Sequence, residues 1–400
     1  MPTPGVIGRL WRTPDYRRIW LAGGIANAMR WVEMLAASLW TYEATGSALM
    51  VSLVAMTRAL PMLLLGAMAG ALADRLDRRR LLLALQVSSA AGAGAVALLA
   101  ATGQLAPWHL MLQGLVAGLA WAGEMATRRR MAAEAAPPDG LVQAIALDTM
   151  TGSATRAIGP ILGGALFQFT GLALAAALAC ALHLVAFSLV RRLRPGPPQP
   201  RTPFMPLAGI VEAMRLAASD RRLRIVLGIT VVMNVFAFCY GAVLPAFGAA
   251  AFGVSGAAIG LLAAAEPLGA FLGGLWITLN RRAQPGWVPM AVGSGLFLVL
   301  LVIVANSPNY WLAWLLMALG GLGTARFAAM QTAVVMIAAP VELRSRMLGL
   351  VTTCIGFGPV GVLAVGALAD GFGPRLALAV MAGLGLAGLI GILVSEARRR

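Results

Sequence analysis

The chain has 400 residues, of which 60% are hydrophobic and 12% are charged, and its mean hydropathy is +0.84. This composition excludes a soluble protein with an ordinary water-facing surface, and also a disordered, collagenous or disulfide-rich chain. The formal net charge of +16 does not indicate a nucleic-acid-binding domain, because the arginines lie in short runs between apolar segments. The sequence therefore predicts an integral membrane protein.

Twelve apolar segments are long enough to cross a bilayer, which needs about 20 residues per helix. We predict spans at 18–40, 50–73, 81–101, 108–126, 141–166, 172–190, 223–248, 257–279, 287–305, 310–336, 347–369 and 375–394. The proline-rich, polar stretch 191–222 cannot span hydrocarbon and is predicted to be a cytoplasmic linker. The predicted fold is thus all-α and integral to the membrane, with six-helix halves at 1–190 and 223–400 around a central cavity.

The arginine distribution predicts the orientation of these spans. Arginine runs at 75–80, 128–130, 191–224, 281–282, 344–346 and 398–400 all fall on one side, whereas the opposite loops hold essentially Arg375 alone. Cytoplasmic loops carry the excess of positive charge in membrane proteins. We therefore expect a multi-pass protein of the bacterial cytoplasmic (inner) membrane, surrounded by lipid, monomeric, and with both termini in the cytoplasm.

Three short matches in the same order relate the two predicted halves. They pair Asp15-Tyr-Arg-Arg with Asp220-Arg-Arg, Gly159-Pro160 with Gly358-Pro359, and Gly171-Leu-Ala-Leu-Ala with the segment that follows Gly373. A separation of about 200 residues in the same membrane orientation indicates a parallel repeat, as found in transporters built from two similar halves.

The loop after the second span carries the clearest motif. It reads Gly70-Ala-Leu-Ala-Asp74-Arg75-Leu-Asp77-Arg78-Arg79-Arg80. This pattern resembles the signature loop of the major facilitator superfamily, and with the preceding Tyr42-Glu-Ala-Thr-Gly-Ser47 it is similar to the bacterial branch of enterobactin exporters and drug-efflux proteins. The resemblance implies a conformational latch formed by Gly70, Asp74, Arg75, Arg78 and Arg79. A basic topology anchor alone is the simpler alternative, and it leaves Asp74 without a role.

A second motif lies in the fifth span, at Gly159-Pro160-Ile-Leu-Gly163-Gly164. It resembles the end of the antiporter motif of superfamily exporters, which implies that the helix bends there and seals one side of the cavity. Proline removes a helix donor, and glycines permit close packing. The chain departs from the family pattern at Thr155, where a glycine is expected, and at Leu110, where another family motif has an arginine.

Charged residues inside the predicted spans are the candidates for a functional site, because each costs at least about 2.5 kcal/mol in lipid unless it faces a cavity or a partner. Arg30 and Glu33 are spaced to share one helix face and pair. A carboxylate that alternates between an arginine and a proton is the simplest device for coupling proton entry to substrate exit. We therefore predict Glu33 as the proton site, with a permanent Arg30–Glu33 ion pair as the structural alternative.

Further candidates follow from the same argument. Asp148 and Glu266 are the other candidates for proton coupling. Asp148 is expected either to flank one cavity wall with Arg156 or to lie near the cytoplasmic end, and Glu266 is expected either to pair with Arg326 or, like Arg326, to bind substrate. His183, alone on an apolar helix, is expected to be simply hydrogen-bonded. The predicted substrate-cavity residues are Arg58, Arg156, Arg326, Asn27, Asn234 and Trp31.

The sequence thus predicts a secondary transporter that exports a small amphiphilic molecule, such as a siderophore or drug, in exchange for protons. No Gly-x-x-x-x-Gly-Lys-Ser/Thr nucleotide-binding pattern occurs, so the energy must come from a gradient. Uptake and lipid flipping are alternatives within the same fold. A polytopic membrane enzyme is disfavoured, because the chain has two histidines and no clustered metal ligands, and we expect no catalytic residue, metal, cofactor or nucleic acid.

Overall fold

The structure is a computed structural model that describes residues 6–73, 77–137, 140–194, 206–279, 285–340 and 343–398. Every regular element in these ranges is helical. The helices are α1 (Val6–Arg12), α2 (Pro14–Thr45), α3 (Ala48–Ala73), α4 (Arg78–Ala101), α5 (Pro107–Ala135), α6 (Leu141–Arg191), α7 (Pro206–Ser219), α8 (Arg221–Val232), α9 (Tyr240–Phe252), α10 (Gly256–Leu279), α11 (Trp287–Ala305), α12 (Tyr310–Ala338), α13 (Arg344–Ile355), α14 (Gly358–Phe372) and α15 (Pro374–Arg398). A π-helical turn, Met233–Ala237, joins α8 to α9.

Eight helical stretches of the described chain are long and apolar enough to cross a membrane. They are Arg78–Ala101, Gln143–Arg191, Arg221–Phe252, Gly256–Leu279, Trp287–Ala305, Tyr310–Ala338, Arg346–Phe372 and Pro374–Arg398. Helices α2 and α5 are also long, but charged side chains such as Glu33 and Glu124 lower their hydropathy. The structure is therefore that of a multi-pass helical membrane protein, while the count of twelve spans stays a prediction.

Helix α6 covers two predicted spans, and its dihedral angles explain how. Gly171, at φ 73° and ψ 174°, interrupts the helical backbone at the predicted boundary between spans. Gly163 lies against the backbone of Val32, and His183 lies beside Glu33, one residue further along α2. Twenty residues of straight helix would separate two positions by about 30 Å, so the chain reverses direction at Gly171.

The predicted linker is partly helical. Residues 206–219 form α7, which lies next to α8 and α13. Glu212 of α7 forms an ion pair with Arg346 of α13. From the sequence we predicted only that this segment does not cross the membrane. Helix α7 was not predicted, because the prolines at 195–200 indicated an irregular linker.

We call α1–α6 the N-terminal group and α8–α15 the C-terminal group. Within them, α2 packs most extensively on α6, α3 on α5, and both α10 and α11 on α12. The groups meet where α6 packs on α10 and where α14 packs on α3. Arginines gather at one end of the bundle, where Arg18 donates to the carbonyl of Arg192 at 2.8 Å and Arg224 contacts Glu396 at 2.8 Å. We call this the arginine-rich end.

The two groups are in close contact at the opposite end. Gly260 of α10 packs against the carbonyl of Pro160, so that a Cβ there would overlap the α6 backbone. Gln168 of α6 accepts a hydrogen bond from the backbone N–H of Ala257 at 2.8 Å. Backbone-to-backbone packing of this kind needs glycine at the contact. The structure therefore has its opposite end closed by α6 and α10.

Asp370, near the end of α14, makes a second closing contact. Its Oδ1 accepts hydrogen bonds from the backbone N–H groups of Ala48 (2.6 Å) and Leu49 (3.2 Å), and its Oδ2 accepts one from the Ser47 hydroxyl. A carboxylate is favoured at a helix N-terminus by the unpaired N–H groups and the helix dipole. Asp370 thus joins the C-terminal group to the first turn of α3.

Candidate functional site

A cavity of about 420 Å³ lies between the two groups of helices. Ser153 and Arg156 of α6 line it from the N-terminal group, and the rest of its wall comes from the C-terminal group. The lining residues there are Asn234, Phe238, Pro267, Ala270, Phe271, Gly274, Thr324, Ala325, Phe327, Ala328, Ala329 and Ile355. The wall is thus mostly apolar and aromatic, with a few polar groups, as is usual for sites that bind small molecules.

An ion pair joins the two groups at this cavity. Arg156 Nη2 lies 2.6 Å from Glu266 Oε2; the Glu266 side chain is fully buried, whereas the Arg156 side chain is 39% exposed. The Tyr240 hydroxyl also donates to Oε2, at 3.3 Å, and the Thr324 hydroxyl donates to Oε1. Donors from α6, α9 and α12 therefore converge on one carboxylate of α10.

The prediction that Arg326 pairs with Glu266 was wrong. The Arg326 guanidinium lies over the ring of Trp276, 5.0 Å from its centroid. Thr324 is the residue of α12 that faces Glu266, and two residues further along an α-helix the side chain points about 200° away. Arg156 is close instead because α6 packs on α10.

Asp148 and Arg156 do not flank one cavity wall. Asp148 pairs with Arg128 of α5, which also lies 3.7 Å from Glu124. This cluster lies towards the arginine-rich end of α6, whereas Arg156, two turns along, reaches Glu266. Asp148 is absent from the lining of the cavity.

Glu33 is the centre of a second polar cluster, inside the N-terminal group. Its Oε2 accepts hydrogen bonds from Arg58 Nη2 and from Gln113 Nε2, each at 3.2 Å. His183 Nε2 lies 3.3 Å from Glu33 Oε1, and His183 Nδ1 lies 2.9 Å from Gln86 Oε1. We call Glu33, Arg58, Gln86, Gln113 and His183 the Glu33 cluster. One member comes from each of the helices α2 to α6.

The predicted pairing of Glu33 with Arg30 is not found. Arg30 lies over the Trp121 ring, 4.7 Å from its centroid, while Arg58 of α3 is the guanidinium that contacts Glu33. Spacing along one helix permits a contact between i and i+3, but the neighbouring helices offer better-placed partners here. His183 is hydrogen-bonded, as expected, but its contact with Glu33 was not anticipated.

The structure places two of the six predicted substrate-cavity residues, Arg156 and Asn234, in the cavity wall. Arg58 belongs to the Glu33 cluster, and Arg326 stacks on Trp276. Asn27 donates to the hydroxyl of Thr155 at 2.9 Å, and Trp31 lies against Gly159, so both join α2 to α6. None of these four lines the cavity.

The glycine-proline motif of α6 packs on two helices. Gly163 approaches the Val32 carbonyl of α2, where a Cβ would lie 2.7 Å from the oxygen, and Gly164 approaches the Gly256 carbonyl of α10. Pro160 lies within α6, and the Thr155 hydroxyl, where the family pattern has glycine, bonds to α2. The motif thus lies where the opposite end is closed, and its bending stays a prediction.

The signature loop is described in part. Asp74 and Arg75 lie outside the described residues, and Gly70 lies in α3. Arg78 contacts both carboxylate oxygens of Glu134 at 2.7 Å, and Arg79 donates to the carbonyl of Arg191. These contacts join helices of the N-terminal group to each other, not to the C-terminal group.

Sequence reasoning missed Asp370, although a signal for it was present. Gly366-Ala-Leu-Ala-Asp370 repeats the pentapeptide Gly70-Ala-Leu-Ala-Asp74 of the signature loop. Gly366 packs against Ser52 of α3, one turn before the Asp370 contacts. The second copy of the pentapeptide is therefore the one that closes the opposite end in this structure.

A helical membrane bundle with an ion-paired central cavity is the architecture of a transport protein, and comparisons with known proteins agree. The model of the transmembrane secretion effector family matches residues 10–398, and the chain belongs to this family of the major facilitator superfamily. The enterobactin exporter EntS of Salmonella choleraesuis (strain SC-B67) is 28% identical to it over 95% of this chain and 91% of its own. EntS of Citrobacter koseri is also 28% identical, with the same coverage.

Solved structures of transporters share the fold. The nucleoside transporter NupG has a TM-score of 0.72 at 14% identity, covering 95% of this chain and 98% of its own. The POT family transporter PepTSo has a TM-score of 0.75 at 13% identity, covering 96% and 98%. These structures show the fold. The family match and the curated relatives make the chain a multi-pass transporter of the bacterial inner membrane that handles a small molecule, and they favour a transporter over an enzyme.

Proposed function

We propose that the protein exports a small amphiphilic molecule from the cytoplasm in exchange for protons. The Arg156–Glu266 ion pair beside the cavity carries this proposal, because Arg156 lines the cavity and the pair links the two groups of helices through one buried carboxylate. The relatives named enterobactin exporters support the direction and make enterobactin the first compound to test.

Competition for Glu266 supplies the exchange. A substrate with hydroxyl or amine donors would enter the cavity beside Arg156 and Thr324, which line it, and would reach the ionised Glu266 carboxylate that these two residues cover. A proton on the same carboxylate removes its charge and makes it a weaker hydrogen-bond acceptor, and so displaces those donors. Substrate and proton then occupy the site in turn, which is the requirement for antiport.

The cavity walls supply the selectivity for amphiphiles. Phe238, Phe271 and Phe327 line the cavity together with alanines, while Asn234 and Ser153 add neutral polar groups. Aromatic surface binds apolar portions of a ligand, and a few convergent polar groups fix its orientation.

The transport cycle would be a movement of two halves, 1–190 and 223–400, against each other, with 191–222 as the linker that joins them. Substrate would enter the cavity from the arginine-rich end.

Inverted membrane vesicles test direction and coupling together. With an acidic interior, vesicles that contain the native protein should accumulate enterobactin, and a protonophore should abolish the accumulation. Glu266→Gln should lose gradient-driven accumulation, while Tyr240→Phe, which removes only one donor to the carboxylate, should retain most of it. Accumulation in right-side-out vesicles alone would indicate uptake, and equal accumulation by Glu266→Gln would contradict the assignment of Glu266.

A further inference from the structure

The Glu33 cluster lies apart from the central cavity, and the exchange described at Glu266 assigns it no role. His183 is 5% exposed and Gln86 is 2% exposed, so both are shielded from water and lipid. Between Arg30, Glu33, Arg58, Glu124 and His183 there is a small cavity of about 20 Å³. That volume is enough for about one water molecule. The cluster is therefore a nearly closed polar site with five helices around it.

The contact between His183 and Gln86 fixes where one proton lies. With the Gln86 amide oriented so that its carbonyl oxygen Oε1 faces the ring, His183 Nδ1, at 2.9 Å, carries a proton and donates it. A neutral imidazole carries a proton on only one nitrogen. In the neutral ring, Nε2 would therefore point its lone pair at Glu33 Oε1, 3.3 Å away.

Two hydrogen-bond acceptors that face each other in a buried site repel. Glu33 Oε1, like His183 Nε2 in the neutral ring, lacks a hydrogen-bond donor in the described part of the chain. This oxygen is buried and accepts no hydrogen bond of regular geometry from the described residues. A single proton on the line between Nε2 and Oε1 resolves both problems. The geometry points to a proton-binding site shared by Glu33 and His183, with Gln86 as the residue that positions the imidazole.

Charged neighbours on the surrounding helices keep this site at one proton. Arg58 of α3 contacts Glu33 Oε2, and Arg30 of α2 lines the same small cavity, so both guanidiniums oppose a second bound proton. Glu124 of α5 also lines the cavity and contacts Arg128, which pairs with Asp148 of α6. This chain of charges leads from the site towards the arginine-rich end, the side from which protons exchange.

In the context of the proposed export function, on which this step rests, the shared proton is linked to the closed opposite end. Losing it would set a lone pair against a carboxylate and push α6 away from α2 at His183. The other arm of α6 carries Gly164, which packs on the Gly256 carbonyl where the opposite end is closed. Release of the proton towards the arginine-rich end therefore favours a different packing of α6.

Nitrogen-15 NMR of histidine-labelled protein tests the site directly, because the chain has only two histidines. His109 accepts a hydrogen bond at Nδ1 from the Ala106 N–H at 2.9 Å, so its Nδ1 is unprotonated and its signals differ from those predicted for His183. A His109→Gln protein leaves His183 alone. At neutral pH we expect Nδ1 of His183 to be protonated and Nε2 to show bound or shared proton character.

Two variants of the His109→Gln protein sharpen the test. Glu33→Gln should move the Nε2 signal to the position of an unprotonated nitrogen, because an amide can donate to the lone pair. Gln86→Leu should release Nδ1 from its acceptor and favour the tautomer protonated at Nε2. An unprotonated Nδ1, or an Nε2 that lacks its proton beside native Glu33, would overturn the proposal.

Substrate-driven proton movement is measured on the same proteins in proteoliposomes. If the expected NMR signals of His183 are absent while the native protein still exchanges substrate for protons, the proposed proton site is contradicted and the export function stands. If the signals appear as expected while no proton moves with any substrate, the site stands and the coupling fails. Loss of proton movement in His183→Gln, with substrate binding retained, supports both.

Discussion

Glu266 is the buried carboxylate that connects the two groups of helices, and Arg156 is its ion-pair partner. Its side chain is fully buried, and the Arg156 guanidinium is its only cationic partner among the described contacts. Removing one member of a buried ion pair leaves an uncompensated charge, which is far more costly than losing an exposed pair. The contribution of this ion pair to the free energy of unfolding can therefore be measured by substitution.

Arg156→Ala should lower the free energy of unfolding in detergent by about 3–5 kcal/mol, because it leaves the Glu266 carboxylate without its counter-charge. Arg326→Ala is the matched control, since it loses only a cation–π contact worth about 0.5–2 kcal/mol. Denaturant unfolding followed by tryptophan fluorescence measures both. Adding Glu266→Gln to Arg156→Ala should restore most of the loss, and no recovery would contradict the pairing.

The same residues show why sequence reasoning found the charges but not their partners. The cost of charge in lipid identified Arg30, Glu33, Arg156, Glu266 and Arg326 without any structure. Their pairing depends on the rotation of each helix and on which helices pack together, and hydrophobic periodicity determines neither in helices that are apolar on most faces. Arg156 meets Glu266 because α6 packs on α10, a long-range contact that spacing along the chain does not encode.

At the scale of the elements, α6 and α10 form the closed end of the molecule. Gly260→Ala should open it, because the new Cβ would overlap the Pro160 carbonyl of α6. Gly241→Ala in α9 is the matched control, since nothing lies within 4 Å of its Cβ position. Spin labels at the exposed Thr102 and Ser255, in a background without Cys180, Cys239 and Cys354, measure the separation. We expect a longer mean distance for Gly260→Ala alone.

Asp370 provides an independent test of the same closure. Asp370→Asn keeps the side-chain shape but weakens the interaction with the first turn of α3, which is worth about 0.3–1 kcal/mol. The ratio of closed to open molecules should fall about two- to fivefold, measured with the same pair of labels. Glu43→Gln, at an exposed site near the same end, should leave the ratio unchanged. An unchanged ratio for Asp370→Asn would show that this contact does not hold the end closed.

Element positions were the most predictable part of the fold. Ten of the twelve predicted spans fall wholly on helical residues, and the predicted 287–305 matches α11 (Trp287–Ala305), because long apolar runs between turn signals leave few alternatives. The predicted spans 223–248 and 347–369 are interrupted by turns at 238–239 and 356–357. The break at Gly171 also follows the predicted boundary. Helix α7 was missed because its amphipathic pattern is short and follows a run of prolines. The pentapeptide that begins at Gly70 and again at Gly366 can be recognised in the sequence. Its role in joining α14 to α3 follows only from the contacts of Asp370 in the structure.

For the whole molecule, closure at one end and a cavity between the groups fit a transporter with its opposite end sealed. Arg78 and Arg79 of the signature loop contact α5 and α6, within the N-terminal group. In the alternating cycle that we propose, Asp370 secures one closed state, and the first copy of its pentapeptide, at Gly70 to Asp74, secures the other. The two states would then be stabilised by the same motif at opposite ends.

The most direct test of the account is the pH change inside proteoliposomes when enterobactin, other siderophores and drugs are added in turn. We expect the native protein to move protons against substrate. Glu33→Gln, shown to be folded, should bind substrate without proton movement, and Glu266→Gln should move no protons and bind substrate more weakly, because its amide resembles the protonated carboxyl. A native protein that transports substrate with no proton movement would contradict exchange. Full proton movement in both variants would contradict the assignment of these two carboxylates.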